Sequence, residues 1–178
     1  MARGILAEHR PTLVRDVRDG ATVKVVGHVR KAERALRSPL TGRVGVYYDV
    51  LVTGAGIRRI REQEAVDFYV EDETGRALVL TEDLQVAVVR DLDEKIGWLP
   101  DAGLRAFLAA HGAVRGYERA KEGTLELDER IAVVGRASWV PDDGANLPVG
   151  YRERPQILLL GAPSDQPLVV SDDPSTFR

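Results

Sequence analysis

The chain has 178 residues, of which 44% are hydrophobic and 30% charged, which suits one folded domain, or one domain with a sizeable insertion, with a substantial core. It contains no cysteine, which excludes disulfides, thiolate zinc sites, iron–sulfur clusters and cysteine nucleophiles. Its longest apolar runs are far shorter than a membrane span, and the first ten residues lack the apolar core of a signal peptide. These features predict a cytoplasmic protein without a membrane-spanning segment.

The formal net charge of −3 is unevenly distributed. Residues 1–61 carry 13 Lys and Arg against 5 Asp and Glu, whereas residues 62–140 carry 9 against 17. A basic first third is typical of proteins that bind nucleic acid or another anionic partner. The alternative interpretations are that the two parts neutralise each other across the fold, or that the charges are simply solvated faces.

In chain order, residues 1–11 are predicted to be a leader or tail. Thr22–Val29 is rich in β-branched residues and predicts a strand, in which Gly27 marks a bulge or a close approach of another backbone. The segment Val23–Val29 (VKVVGHV) is similar to Ile131–Ala137 (IAVVGRA). This similarity indicates either an internal repeat of a glycine-bearing strand or a chance match between common strand sequences.

The middle of the chain alternates strand and turn signals. Ser38-Pro39-Leu40-Thr41-Gly42 predicts a turn in which Gly42 permits the reversal. A strand follows over Val44–Val52, and the charged segment Arg58–Glu64 is interpreted as part of a loop. Residues 65–80 predict a hairpin around Glu71-Asp72-Glu73-Thr74-Gly75, with Gly75 at positive φ.

One helix is predicted, over Asp101–Gly112, because Asp101 can cap it and Gly112 can end it. Further strands are predicted over 85–89, 130–140, 156–160 and 167–170, a strand or hairpin over 117–127, and an irregular loop over 141–154. Many short strands with a single helix predict a mainly β fold of the α+β class, an OB-like or open β-barrel. The domain is predicted to span residues 12–174, with a C-terminal tail at 175–178.

No catalytic constellation, metal site or cofactor site is predicted. The three histidines, His9, His28 and His111, have no metal-ligand spacing, and no phosphate-binding glycine motif is present. The acidic residues 71–73 are interpreted as turn chemistry. An enzyme would need a site assembled from distant residues, such as His28 with Asp49 or Glu71.

The candidate binding surface combines cations, aromatic residues and the hairpin. The basic group lies at the first connection between strands, which borders the binding face in OB-like barrels, and the two tyrosines just beyond it are expected to stack on bases. The predicted surface residues are Arg30, Lys31, Arg34, Arg37, Arg43, Tyr47, Tyr48, Glu71, Asp72 and Arg76.

These same motifs resemble a known family. The order S-P-L-T-G (38–42), then Val46-Tyr47-Tyr48, then Phe68–Gly75 (FYVEDETG) resembles the GIDE-type domain, also called the BAM or "beside a membrane" domain. That domain lies between the membrane helices of the mitochondrial ubiquitin ligase MULAN and occurs in bacterial proteins too. The resemblance extends over residues 12–174, although neither membrane helices nor a cysteine-rich RING is visible in this sequence.

The resemblance implies a folded, non-enzymatic recognition module for a protein or small ligand, because no catalytic residues are assigned to the domain. Without cysteine, the RING-dependent ligase chemistry is excluded. A membrane-associated partner is compatible with the resemblance. The alternative function is an OB-like single-stranded nucleic-acid-binding protein that uses residues 30–43 with Tyr47 and Tyr48.

Overall fold

A computed structural model describes residues 2–56, 58–97, 100–113, 116–142 and 155–178, so most of the loop predicted over 141–154 lies outside the described residues. In these ranges the chain forms two α-helices and twelve β-strands. The helices are α1 (Ala2–Glu8) and α2 (Ala102–Ala110). The strands are β1 (Thr22–Lys31), β2 (Leu36–Arg37), β3 (Val44–Gly54), β4 (Arg59–Ala65), β5 (Phe68–Asp72), β6 (Gly75–Val79), β7 (Leu84–Ala87), β8 (Leu92–Lys95), β9 (Tyr117–Glu126), β10 (Arg130–Pro141), β11 (Gln156–Gly161) and β12 (Leu168–Ser171).

Five of these strands close into a barrel in the order β1–β5–β6–β11–β10, with β10 pairing back to β1. The β6–β11 pair is parallel and the other four junctions are antiparallel. From β10 the sheet continues to β12 and then to β7. The mainly β, barrel-containing fold predicted from the sequence is therefore confirmed, and closure leaves no free strand edge within the ring.

The barrel interior is filled by every second residue of its strands, since successive side chains face opposite sides. Several of the outward-facing positions between them are partly exposed, including Tyr69, Leu78 and Leu159. The inward residues with 0% exposure are Val25, Val29, Phe68, Val70, Ala77, Val79, Ile131, Val133, Leu158 and Leu160.

A second sheet is built from chain segments inserted between the barrel strands. Its central strand is β3, which pairs with β2, β4 and β9, and β8 pairs with β9. The predicted loop at Arg58–Glu64 is wrong, because Arg59–Ala65 forms β4. This strand lies at an edge, where charged side chains are tolerated and discourage pairing with another chain.

The predicted helix at 101–112 is confirmed as α2. The Asp101 side chain accepts a hydrogen bond from the backbone N–H of Leu104 at 2.8 Å, which satisfies one of the free donors of the first turn. Leu104, Phe107 and Leu108 are buried, and the helix is followed by Gly112 with φ of +66°.

A second α-helix lies where the sequence predicts a leader or tail. Leu6 of α1 is 0% exposed and packs on the outside of the barrel against Ala132, Val134 and Val169. The prediction of a single helix is therefore wrong, and residues 2–8 are part of the folded body. The helix was missed because seven residues with one buried leucine give almost no periodic signal.

Lys24 joins the two chain ends described by the structure. Its side chain is 1% exposed, and its Nζ donates to the backbone oxygens of Leu6 at 2.9 Å and Arg178 at 2.7 Å. Burial lowers the pKa of Lys24. Residues 174–176 form a short 3-10 helix beside this contact, and Phe177 packs against the cluster around Leu6, so the predicted C-terminal tail also packs on the barrel.

Within the described residues, no helix combines the length and the apolar character required to cross a bilayer.

Candidate functional site

Three of the six cations of the predicted surface form ion pairs with acids from residues 62–140. Arg34 pairs with Glu64 at 3.2 Å, whereas the Arg37 guanidinium donates to the Gly42 carbonyl oxygen at 2.7 Å. Lys31 is exposed at the end of β1. The other pairs are Arg30 with Glu71 (3.0 Å) and Asp128, and Arg43 with Glu126 and Asp91 (3.4 Å). At these positions the ion pairs compensate part of the excess positive charge of residues 1–61.

Tyr47 and Tyr48 lie in the core. Each is 6% exposed, because residues 45–50 of the central strand β3 are buried without interruption and both faces are covered. Burial raises the pKa of Tyr47 to about 12, and the Tyr48 hydroxyl donates to Glu62 at 2.7 Å. The prediction that these two rings are available to stack on bases is therefore wrong.

The S-P-L-T-G turn is held by a buried carboxylate that is not among the predicted surface residues. Glu122 on β9 is 0% exposed and accepts from the backbone N–H groups of Leu40 at 2.8 Å and Thr41 at 3.1 Å, and from the Thr41 hydroxyl. Gly42 has φ of +73°, as the predicted turn requires. This motif therefore has a structural role, because its donors bind Glu122.

The hairpin carboxylate Asp72 is also structural. It accepts from the backbone N–H groups of Thr74 at 2.7 Å and Gly75 at 3.1 Å, and from that of Val14 at 2.8 Å. Burial opposes ionisation, but these hydrogen bonds and one from the Thr74 hydroxyl together lower the pKa of Asp72. The predicted positive φ at Gly75 is wrong; a Cβ there would instead lie 3.2 Å from Cγ1 of Val14.

Asp49 and Glu71, the two carboxylates considered as partners of His28 in an enzyme, both pair with arginines. His28 lies opposite Glu71 in the β1–β5 ladder, but the Glu71 carboxylate pairs with an arginine. Asp49 is 4% exposed and lies between Arg61 at 2.9 Å and Arg90 at 2.7 Å. In the part of the chain that the structure describes, no three His, Cys, Asp or Glu side chains are grouped to hold a metal ion.

A cavity of about 450 Å³ opens where the outer face of β5 and β6 meets the end of β1 and the β4–β5 connection. Asp67 stabilises one side of it, since its carboxylate accepts from the backbone N–H of Thr81 at 2.8 Å and from the Thr81 hydroxyl at 2.9 Å. Both polar and apolar side chains line it: Ala32, Glu33, Arg34, Ala65, Val66, Asp67, Tyr69, Leu78 and Thr81.

Arg76 lies beside this cavity on the same face of β6 as Leu78. Its guanidinium carbon is 4.3 Å from the centre of the Tyr69 ring, a cation–π distance. The side chain is exposed. Among the described residues it forms no ion pair, although the register places Glu71 directly opposite.

The structure thus brings together only part of the predicted surface. Arg34 lines the cavity and Arg76 lies beside it, whereas Tyr69 and Leu78 were missed. The available signal was the alternation of the hairpin strands: Phe68 and Val70 face inward, so Tyr69 must face outward.

Comparisons with protein-family models, with curated proteins and with solved structures each return no match. The resemblance to the GIDE-type domain therefore stays a prediction.

Proposed function

We propose that this chain is a non-enzymatic recognition module that binds its ligand on the outer face of β5 and β6. One observation carries the proposal: the cavity of about 450 Å³ formed there, with the partly exposed Tyr69 and Leu78 in its wall. Ligand sites in proteins are typically concave and largely apolar, with volumes of about 300–1,000 Å³ and a few polar groups that set orientation.

The position of the cavity in the barrel supports this proposal. In chain order β5 and β6 are the second and third strands of the five-stranded ring. OB-type barrels bind oligonucleotides and oligosaccharides on the face of these two strands and on the loop after the first strand. We therefore propose that the barrel is OB-like. The GIDE-type resemblance points the same way, since that domain is thought to contact partners or substrates.

A ligand-observed NMR screen of small aromatic and aliphatic fragments tests the proposal. Leu78→Glu places a charge in the cavity wall, and Val89→Glu is the matched control, because Val89 is 49% exposed and does not line the cavity. We expect a set of fragments to bind the native protein and the control but not Leu78→Glu. Thermal unfolding of both variants shows that they are folded. If no fragment depends on Leu78, the proposed site is wrong.

Single-stranded nucleic acid is the second candidate ligand. Burial of Tyr47 and Tyr48 removes the stacking pair first predicted, but Tyr69 provides an aromatic ring beside Arg76 on the face that OB-type barrels use. A fluorescence-polarisation titration with a labelled oligonucleotide at low and high salt tests it. Salt-sensitive binding that is lost in Arg76→Glu and weakened by the Arg34→Glu, Arg37→Glu pair supports this candidate. No binding at low salt excludes it.

A further inference from the structure

Arg76, the arginine beside the cavity, does not pair with the acid opposite it in the hairpin, because that acid pairs with another arginine. Glu71 lies opposite Arg76 in the hairpin ladder, where an acid and a base normally pair. The Glu71 carboxylate instead lies 3.0 Å from Nε of Arg30, on the neighbouring strand β1. Within the described residues, the Arg76 side chain forms no ion pair or hydrogen bond, and its guanidinium lies over the face of the Tyr69 ring.

Stacking on Tyr69 orders this guanidinium without using its donors. A cation–π contact engages the flat face of the group, whereas its N–H bonds point outward in the plane. Those N–H groups form a planar fork that matches two oxygens of a carboxylate or phosphate. Because the ring restricts the side chain before a ligand arrives, less conformational entropy is lost on binding.

The adjoining cavity indicates what else the ligand carries. At about 450 Å³ it is far larger than a bare ion needs, and Ala65, Val66, Tyr69 and Leu78 give it an apolar wall. A bound group of that kind gains from leaving water. The cavity therefore suits the apolar or aromatic body of an organic molecule, while the arginine suits its charged end.

The acidic residues of the lining restrict where the negative charge can lie. Asp67 accepts two hydrogen bonds from Thr81, which fix the position of its carboxylate on the Thr81 side of the cavity and leave its negative charge in place. Glu33 is exposed at the rim, next to Arg34. An anion is repelled by Glu33 and Asp67 and is favoured on the Arg76 side.

We propose that the site binds an organic anion, with its carboxylate or phosphate group on Arg76 and its apolar or aromatic body in the cavity against Tyr69 and Leu78. This inference rests on the proposed recognition function and names the ligand class of the same site.

The test is a titration of the full chain by NMR with four small probes: phenyl phosphate, benzoate, benzamide and inorganic phosphate. Benzamide carries the ring without the charge, and inorganic phosphate carries the charge without the ring. We expect phenyl phosphate or benzoate to bind about tenfold more tightly than benzamide, as one charge-assisted hydrogen-bonded pair provides. The ranking of the first two probes distinguishes a phosphate ligand from a carboxylate ligand.

Three variants locate the effect. Arg76→Gln should remove the preference for the anionic probes and leave benzamide binding unchanged, while Arg105→Gln, an exposed arginine on α2, should change neither. Glu33→Gln should tighten binding of the anions, because a like charge is removed. If inorganic phosphate binds as tightly as phenyl phosphate, the cavity plays no part and the inference is wrong.

The outcomes separate this inference from the proposed function. Leu78-dependent fragments that show no preference for an anion overturn the inference and leave the recognition site in place. Absence of any Leu78-dependent binding overturns both.

Discussion

Val25 lies directly opposite Val133 in the antiparallel ladder between β1 and β10. The two valines occupy equivalent positions of the similar segments Val23–Val29 and Ile131–Ala137, and each is 0% exposed. The segments are therefore neighbouring strands that face each other about this central pair. Their similarity has a structural counterpart, since both supply the same inward-facing wall of the barrel.

The glycines of the two segments occupy mirrored positions in that ladder. Gly27 lies opposite Ile131, and Gly135 lies opposite Val23. Each glycine is the fifth residue of its own segment and is paired with the first residue of the other segment. Other atoms approach both glycines closely. At Gly27 the nearest are backbone atoms, whereas at Gly135 the nearest belongs to a side chain.

Gly27→Ala should destabilise the barrel more than Gly135→Ala. A Cβ on Gly27 would lie 2.4 Å from the backbone oxygen of Glu71, whereas on Gly135 its nearest neighbour would be the flexible end of Leu168 at 2.5 Å. Backbone in the β1–β5 ladder cannot move without breaking hydrogen bonds, so we expect a loss of about 1–3 kcal/mol or more in the free energy of unfolding.

The matched control is Gly161→Ala, where a Cβ would meet nothing within 4 Å. Urea denaturation of the three variants gives the comparison. Equal stability of Gly27→Ala and the control would show that the Glu71 backbone does not lie as close to Gly27 as described.

The sequence predicts the barrel strands well, because most of them alternate or are continuously apolar. It also predicts α2, since Asp101 supplies a cap and Leu104, Phe107 and Leu108 have helical spacing. β4 was missed because Ile60 is its only large apolar residue, so an exposed edge strand reads as a loop.

The candidate site is less accessible to sequence reasoning. Residues 44–52 form an almost continuous apolar run, which indicates a strand covered on both faces and so a buried Tyr47 and Tyr48. The ion-pair partners of the arginines, in contrast, give no such signal in the sequence. Arg34 and Glu64 are 30 residues apart, and only the pairing of the second sheet brings them together.

Leu6→Ala tests whether residues 2–8 belong to the folded body. Leu6 is 0% exposed against Ala132 and Val134. Removing a buried leucine side chain typically costs about 2–5 kcal/mol, and here the loss is limited to the free energy that docks α1. We expect lower stability towards urea and faster proteolysis near the N-terminus, whereas Glu8→Ala, at an exposed position of the same helix, should change neither. If Leu6→Ala has the same stability towards urea and the same rate of proteolysis as the native protein, residues 2–8 are not part of the folded body, as the sequence predicts for a leader.

Glu122→Gln tests the role of the S-P-L-T-G turn. The native carboxylate accepts from two backbone N–H groups and from the Thr41 hydroxyl while fully buried. An amide has one acceptor oxygen, so donors are left unsatisfied, and we expect a loss of about 1–3 kcal/mol in the free energy of unfolding. Glu118→Gln, on the exposed part of the same strand, is the control. The turn interpretation fails if the two variants unfold at the same urea concentration.

Glu129 gives the protein a pH dependence of defined sign. Burial raises the pKa of Glu129 from 4.5 to about 7, with a further contribution from the nearby carboxylates of Asp172 and Asp91. Between these two values the folded protein holds a proton that the unfolded chain has released. The free energy of unfolding contributed by this group is therefore fully present below pH 4.5 and is lost as the pH rises through 7.

Glu129→Gln should remove this dependence, because the amide does not ionise and its oxygen can still accept from the backbone N–H of Glu126, as the carboxylate does at 2.9 Å. We expect the stability of Glu129→Gln relative to the native protein to be greater at pH 8 than at pH 5, as measured by urea denaturation at both values. Burial also raises the pKa of Asp172, so some pH dependence of the same sign remains in the variant. Glu118→Gln should show the same difference from native at both pH values. A Glu129→Gln difference that does not change with pH would mean that Glu129 ionises in the folded protein as it does in the unfolded chain.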